Sequence, residues 1–374
     1  MFYVVLVLVI IGFIAYFIEI LALTSLIKQK LSFSFTEGVS IIKPLKGIDD
    51  NLFSNLESFC RLDYPKYELI FCLSSCTDPA YKIAKKIKDK YKDCDISIVI
   101  DDTSVGLNPK INNMFKAYMN SKYDFVIISD SNVIVDKNYI QQTAKYLKNN
   151  EVSVVTNLVR GKGALTFGSL LENLQLNTFV VCGMAFLNTK TNIPCVIGKS
   201  ILFRKKDLEE SGGFWHLKDY LAEDFMIGKL ATDNNKKVAI SNYFVDNVNE
   251  FWDTKKFLNR HTRWAKMRYK IGRFYYLSEL LSNPVFLALV GFIISGFSKD
   301  FLYLFVGSAI FKAMLDYYTG YLVGSDIKSI YYFFSPIKDI IIGFIWFVPF
   351  FNTKVYWRGK KYLMGKNTLL IESK

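Results

Sequence analysis

Residues Phe2 to Ile27 form an apolar run broken only by Glu19 and a few small polar side chains. Crossing a bilayer's hydrocarbon core takes about 20 helical residues, so this stretch is long enough to span it. A chain carrying such a segment must fold in two solvents. A cleaved signal peptide would have a basic start and a small-residue cleavage site, and the run has neither. Lys28 and Lys30 follow at once. The positive-inside rule then sets the N-terminus outside and the next domain in the cytoplasm. A residue content that is 51% hydrophobic and 16% aromatic agrees with membrane contact.

Lys and Arg outnumber Asp and Glu by 47 to 34, for a net charge of +13. That balance suits an anionic leaflet and anionic small-molecule substrates. It does not point to nucleic acid, because no basic run interleaves with aromatics on a recognisable module. The six cysteines form no C-x-x-C pair and lie far from paired histidines, so zinc spacing is absent. Most of them read as small buried hydrophobes of a reducing compartment.

Three more apolar blocks, roughly Leu280–Phe297, Phe301–Val323 and Ile330–Phe351, follow a basic helical stretch at Thr254–Arg273. The second holds Lys312 and Asp316, an i,i+4 pair suited to facing inward in a bundle. The third holds Pro336, Lys338, Asp339 and Pro349, which suggests a broken or re-entrant segment. Lys354, Arg358, Lys360 and Lys361 favour a cytoplasmic tail, which requires an even number of crossings after the domain. Ala164–Leu187 is apolar but carries Glu172 and Asn173, and reads first as an amphipathic helix on the membrane surface and second as a buried core helix.

Between these segments the pattern changes. Val39–Pro44, Tyr67–Leu73, Ile96–Ile100 and Phe125–Ile128 are β-rich and bounded by turn formers. Asn51–Leu62 and Pro79–Tyr91 have apolar residues at helical spacing. Such alternation implies an α/β fold with a mostly parallel sheet flanked by helices, whose ligands collect at the carboxyl ends of the strands.

The candidate chemical groups fall just after those strands. Asp78 ends FCLSSCTD and suits either a helix N-cap or a hydrogen bond to a base or ribose. Lys110, in VGLNPKINN, opens a helix where free N–H groups favour an anion, or simply sits in a capped loop. Asp130 emerges from YDFVIIS, placed for a cation bridging phosphates or for an Asx turn. Asp224, beside Glu223 at a predicted helix start, offers a general base or a favourable helix-dipole charge. Arg260, Arg263 and Trp264 share a helix face and suit a diphosphate clamp, or anchoring at the membrane interface.

In this order, IIKPLKG (41–47), TDPA (77–80), VGLNPKINN (105–113), SDSN (129–132), AEDF (222–225) and RHTRW (260–264) resemble one family. The chain is similar to membrane glycosyltransferases of the family 2-like, GT-A type. More closely it resembles the ceramide glucosyltransferase group, which includes bacterial hopanoid-associated members. The resemblance implies a GT-A nucleotide-sugar-binding domain over residues 38–273. An anchor at 1–30, a transmembrane or re-entrant region at 274–351 and a basic tail at 352–374 would complete the chain. It implies a multi-pass protein of a bacterial cell membrane.

It also implies roles: Asp78 for the uridine of a UDP-sugar, Asp130 for the diphosphate and its Mg²⁺ or Mn²⁺, and Asp224 as catalytic base. Lys110, Arg260, Arg263 and Trp264 would complete the nucleotide-sugar site. Cys195, Gly198 and Lys199 would lie near the sugar, and Cys195, Gly198 and Trp215 on the acceptor side. Where many relatives read Asp-x-Asp, this chain reads Asp130-Ser131-Asn132. The implied reaction is inverting transfer of a hexose to a membrane lipid hydroxyl. The competing readings are a processive polysaccharide synthase, for which the spans look few, and a non-catalytic scaffold or transporter.

Overall fold

A computed structural model describes every residue except Asn192, Arg358, Gly359, Ser373 and Lys374. The tail cation Arg358 therefore lies outside the described residues. At the centre is an eight-stranded sheet. Its strands are β1 (Val39–Pro44), β2 (Tyr67–Leu73), β3 (Ile96–Ile100), β4 (Phe125–Ile128), β5 (Val133–Ile134), β6 (Val152–Lys162), β7 (Ile201–Arg204) and β8 (Lys237–Val248). They run in the order β3-β2-β1-β4-β7-β6-β8-β5. The first four are parallel, with Ile42 of β1 opposite both Ile70 and Ile128. β7 is antiparallel to β4 and to β6, β8 returns parallel to β6, and β5 pairs antiparallel to β8. Every residue of β1 is buried, which is why that strand lacks the polar alternation of a half-exposed one.

The first four strands fall where the β-rich runs predict, and the helices between them start on readable signals. Pro79–Lys90 begins with Asp78, whose carboxylate accepts from Ala80 N, and with proline in its first turn. Its Ala80, Ala84 and Ile87 bury one face while lysines line the other.

Among the described residues, three helices are long and apolar enough to cross a membrane: Phe2–Ile27, Phe167–Lys190 and Ser329–Phe351. The first is apolar all round. It buries Val9, Tyr16, Ile20 and Leu23 against the bundle and leaves Tyr3, Val7, Ile14 and Phe17 exposed, as a lipid-facing helix does. It packs against the Val181–Lys190 and Pro284–Ile294 helices.

The predicted Leu280–Phe297 block is not one straight helix. It breaks at residues 280–283, where helices Arg273–Glu279 and Pro284–Ile294 meet at a bend of 69°. The block expected to be broken is continuous instead. Pro336 sits in the first turn of Ser335–Phe351, where it needs no N–H partner, and Pro349 falls in the last turn.

The Ala164–Leu187 stretch does not lie on a surface. Residues 168–178 are all buried, and a π-helical turn at Leu176–Val180 joins Phe167–Gln175 to Val181–Lys190. Its polar side chains find partners inside. Asn177 Nδ2 donates to Gly161 O at 3.0 Å, and Asn173 Oδ1 accepts from Asn249 Nδ2 at 2.8 Å.

Lys312 and Asp316 do face inward, 2.5 Å apart. Lys338 and Asp339, 2.7 Å apart, join them, and Tyr16 donates to Asp316 at 2.6 Å. Two cations thus balance two anions in the bundle, the arrangement that buried charge among apolar helices requires.

The expected basic tail is itself folded. β9 (Lys354–Trp357), β10 (Lys360–Met364) and β11 (Leu370–Glu372) form an antiparallel sheet that buries Val355, Tyr362, Met364 and Leu370. Leu370 N bonds to Asp219 O at 2.7 Å and Ala222 N to Thr368 Oγ1 at 3.0 Å. The tail therefore braces the segment that leads into Glu223 and Asp224.

Candidate active site

Strand order reverses direction at β1, and α/β ligands bind at such a switch point beyond the carboxyl ends of the strands. A cleft of about 570 Å³ opens there. Lys110, Asp130, Gly198, Lys199, Asp224, Arg260, Arg263 and Trp264 all line it, with Glu223 and Trp357. The predicted residues among them, from Lys110 to Trp264, come from positions up to 154 apart in the chain. Asp78, Cys195 and Trp215 do not line it. Asp78 accepts from Gly47 N at 2.9 and 3.1 Å, pinning the turn after β1 as well as capping its helix. Trp215 is half exposed and meets Phe115 edge-on at 5.7 Å. Cys195 lies behind Asp224, and burial, then the Asp224 charge, push its thiol up to about 12.

Lys110 is the hub. Its Nζ lies 2.9 Å from Asp130 Oδ1 and 2.7 Å from Glu223 Oε1. Burial disfavours its charge, but Asp130 and Glu223 outweigh burial and hold the ammonium above the usual lysine range. The VGLNPKINN motif delivers this lysine. Asn108 caps the Pro109–Met119 helix by accepting from Lys110 N at 2.8 Å and Ile111 N at 3.2 Å. Its Nδ2 donates to Tyr220 O at 2.6 Å, tying the cap to the segment before Asp224. Gly106 lies so close to that segment that a Cβ would meet Lys218 O at 2.6 Å. Asn113 Nδ2 donates to Leu45 O at 3.1 Å, anchoring the helix to the turn after β1. The motif is a clamp holding three loops of the cleft in register.

Asp130 has a cation on each oxygen, with Lys199 Nζ 3.0 Å from Oδ2. Burial would raise its pKa, yet Lys110 and Lys199 keep the carboxyl far below the ordinary range. Lys199 also donates to Asn132 Oδ1 at 2.7 Å, the position where a second acid is missing. Beneath them the fully buried Lys43 donates to Asp130 O at 2.8 Å and lies 3.6 Å from the Phe59 ring centroid. Lys43 belongs to IIKPLKG, but nothing local in that motif gives it a role, because its partner Asp130 lies 87 positions away.

Asp224 is held differently. Its Oδ2 accepts from Gly198 N and its Oδ1 from Phe225 N, both at 2.8 Å. Burial, then the Glu223 charge, raise its pKa to about 6, against the pull of Lys110. One carboxylate is thus locked ionised and another poised near neutrality, a division that suits one to charge handling and the other to proton transfer.

On the Thr254–Ile271 helix, Arg260 lies between the rings of Trp252 and Trp264, 5.1 and 4.4 Å from their centroids. Its Nη1 is 3.0 Å from Glu172 Oε1, whose other oxygen meets His261 Nε2 at 2.9 Å. Burial lowers the His261 pKa, despite Glu172 beside it. Glu172 carries no motif signature; in the sequence it is only a blemish in an apolar run.

A divalent cation fits at Asp130 in one way. Among the described residues no group of three His, Cys, Asp or Glu side chains could form an all-protein cage. Asp130 has about four acceptor positions, and lysines use one on each oxygen. It can therefore add one carboxylate contact to a Mg²⁺ or Mn²⁺ whose other ligands are phosphates and water.

An open α/β sheet with a polar cleft at the reversal of its strand order, floored by a lysine-flanked carboxylate, defines a GT-A-like glycosyltransferase fold. A mannosyltransferase from Pyrobaculum calidifontis, solved with GDP-Man and Mn²⁺, shares it at TM-score 0.53 and 14% identity, over 91% of this chain and 97% of that one. That likeness is one of fold. The chain belongs to glycosyl transferase family 21, whose model matches residues 4–370. It is 34% identical over 263 residues to ceramide glucosyltransferase 3 of Caenorhabditis elegans, covering 68% of this chain and 57% of that one. Against ceramide glucosyltransferase 1 of the same organism it is 33% identical over 232 residues, covering 62% and 50%. The chain thus spans little more than half the length of these two relatives.

Proposed function

We propose that this chain transfers a hexose from a UDP-sugar to the hydroxyl of a membrane lipid, with inversion at the anomeric carbon. The acceptor is of the ceramide type, as the relatives' names suggest. The observation that carries the reading is the pairing of Asp224, poised near neutrality, with the buried cations across the same cleft. The acceptor oxygen forms a bond to the anomeric carbon as the bond to the diphosphate oxygen breaks. Asp224 takes the hydroxyl proton, and the electron pair leaves on UDP. Lys110, Lys199, Arg260 and Arg263 stabilise the charge growing on the diphosphate, in a site that needs no reorganisation to do so. Asp130 is the carboxylate that would hold Mg²⁺ or Mn²⁺, which supplies further neutralisation of the phosphates when bound.

Asp78 shapes the uridine end by pinning the Gly47 turn, while Gly198 borders the acceptor side with Cys195 behind Asp224. The catalytic domain faces the cytoplasm, the side indicated by Lys28 and Lys30. A lipid hydroxyl held at headgroup level then meets a nucleotide sugar arriving from water.

The test is Asp224→Asn in the purified full chain, assayed with UDP-hexose and lipid acceptors. The carboxamide oxygen can keep one of the two backbone contacts while losing the base. Transfer should fall by about 10² to 10⁴, the usual worth of a general base, with UDP binding retained. Undiminished transfer would remove Asp224 from this role, and absence of glycolipid product from the wild-type chain would overturn the reading.

A further inference from the structure

Glu172 is fully buried in the Phe167–Gln175 helix, whose neighbours Leu171 and Leu174 are fully buried too. Desolvating a carboxylate costs several kcal/mol, roughly, unless it is well paired. Its partners are Arg260 and His261, two consecutive residues on the helix that walls the cleft. The pairing with Arg260 is close but not well angled, since Glu172 Oε1 finds no hydrogen-bond donor. A guanidinium held by charge at one nitrogen, between two indoles, keeps most of its N–H fork for another anion.

We infer that Glu172 is a positioning residue for the donor diphosphate: it holds Arg260 in the cleft, with His261 anchoring the second carboxylate oxygen. A long arginine that must be ordered on binding loses affinity to side-chain entropy, and a preset one does not. The brace reaches further. The Glu172 helix continues through the π turn into Val181–Lys190, which packs on the Phe2–Ile27 helix. The diphosphate clamp is therefore seated on a helix that the membrane bundle and the sheet share. This rests on reading the cleft as a nucleotide-sugar site.

The experiment uses the full chain in detergent or nanodiscs, with Glu172→Gln and Glu172→Asp, each alone and combined with Arg260→Ala. Measured are UDP affinity, KM for donor and acceptor, kcat and thermal stability. Glu172→Gln should weaken UDP binding and raise donor KM about tenfold, leaving acceptor KM within about twofold. In the Arg260→Ala background the same change should add less than about twofold, because the residue acts through that arginine. Should the Gln variant not fold, Glu172→Asp, which keeps the charge one methylene shorter, is expected to show the same split. Equal effects on donor and acceptor KM, additive losses with Arg260→Ala, an unchanged donor KM, or failure of both variants to fold would each overturn the inference. If the wild-type chain neither binds UDP nor transfers sugar, the reading of the cleft fails instead.

Discussion

The pH dependence of kcat/KM offers a direct test of Asp224. Its carboxyl titrates at about 6 in the folded protein, raised by burial and then by Glu223. The base works only when ionised, so activity is lost as pH falls through that value. At pH 5 about a tenth of the molecules carry an ionised Asp224 and at pH 7 about nine-tenths, so kcat/KM should fall roughly tenfold between them. An ordinary aspartate, titrating near ~3.9, would leave the profile almost flat over that range. Asp130 contributes nothing there, because Lys110 and Lys199 hold it ionised far below.

His261 is the competing source of an acid limb, since burial lowers its pKa from the usual imidazole range. Glu223→Gln separates the two. Glu223 is the second cause of the Asp224 shift and is not among the groups acting on His261. The limb should move to lower pH in that variant but stay above an ordinary aspartate, because burial, the largest cause, remains. The assay is initial-rate transfer from labelled UDP-hexose at subsaturating donor, with thermal melts at each pH to exclude unfolding. A profile flat to pH 5, or a limb that Glu223→Gln leaves in place, would refute this reasoning.

Three further outcomes are expected. In Gly198→Ala the new Cβ lies 3.0 Å from Lys110 Nζ and 3.3 Å from Asp224 Oδ2; displacing both by a few tenths of an ångström should lower kcat about tenfold with little loss of thermal stability, read by parallel kinetics and melts. Lys110→Met strands Glu223 beside Asp224 and leaves Asp130 with Lys199 alone, and breaking a buried pair on one side costs about 3–5 kcal/mol; the melting temperature in detergent should drop sharply, and Glu223→Gln in the same chain should restore part of it. Chelation with EDTA should reduce transfer, with Mg²⁺ or Mn²⁺ restoring it, and Asp130→Asn should blunt that response; calorimetry of metal binding in the presence of UDP checks it independently of turnover.

What could be read from the sequence was whatever a local pattern encodes. The first four strands are short apolar runs between turn formers, and Asp78 with Pro79 writes a helix start in two residues. Lys110, Asp130 and Asp224 were legible because each sits at the end of its own element, the place an α/β sheet reserves for ligands, whereas Arg260 and Arg263 lie mid-helix and were legible only through RHTRW. What escaped was pairing across distance. Lys110 meets Glu223 across 113 positions and Arg260 meets Glu172 across 88, and neither separation leaves a periodic trace. The same blindness misplaced the Ala164–Leu187 helix. Its Glu172 and Asn173 looked like a wet face, which on an apolar helix belongs at a membrane surface, and Asn177 follows one turn on. Each instead has a specific partner on β6, just after β8, or on the Thr254–Ile271 helix. Polarity in an apolar segment thus has two physical explanations, water or a buried partner. For Glu172 the buried partner is Arg260 with His261, on a helix that its sequence marks only as basic.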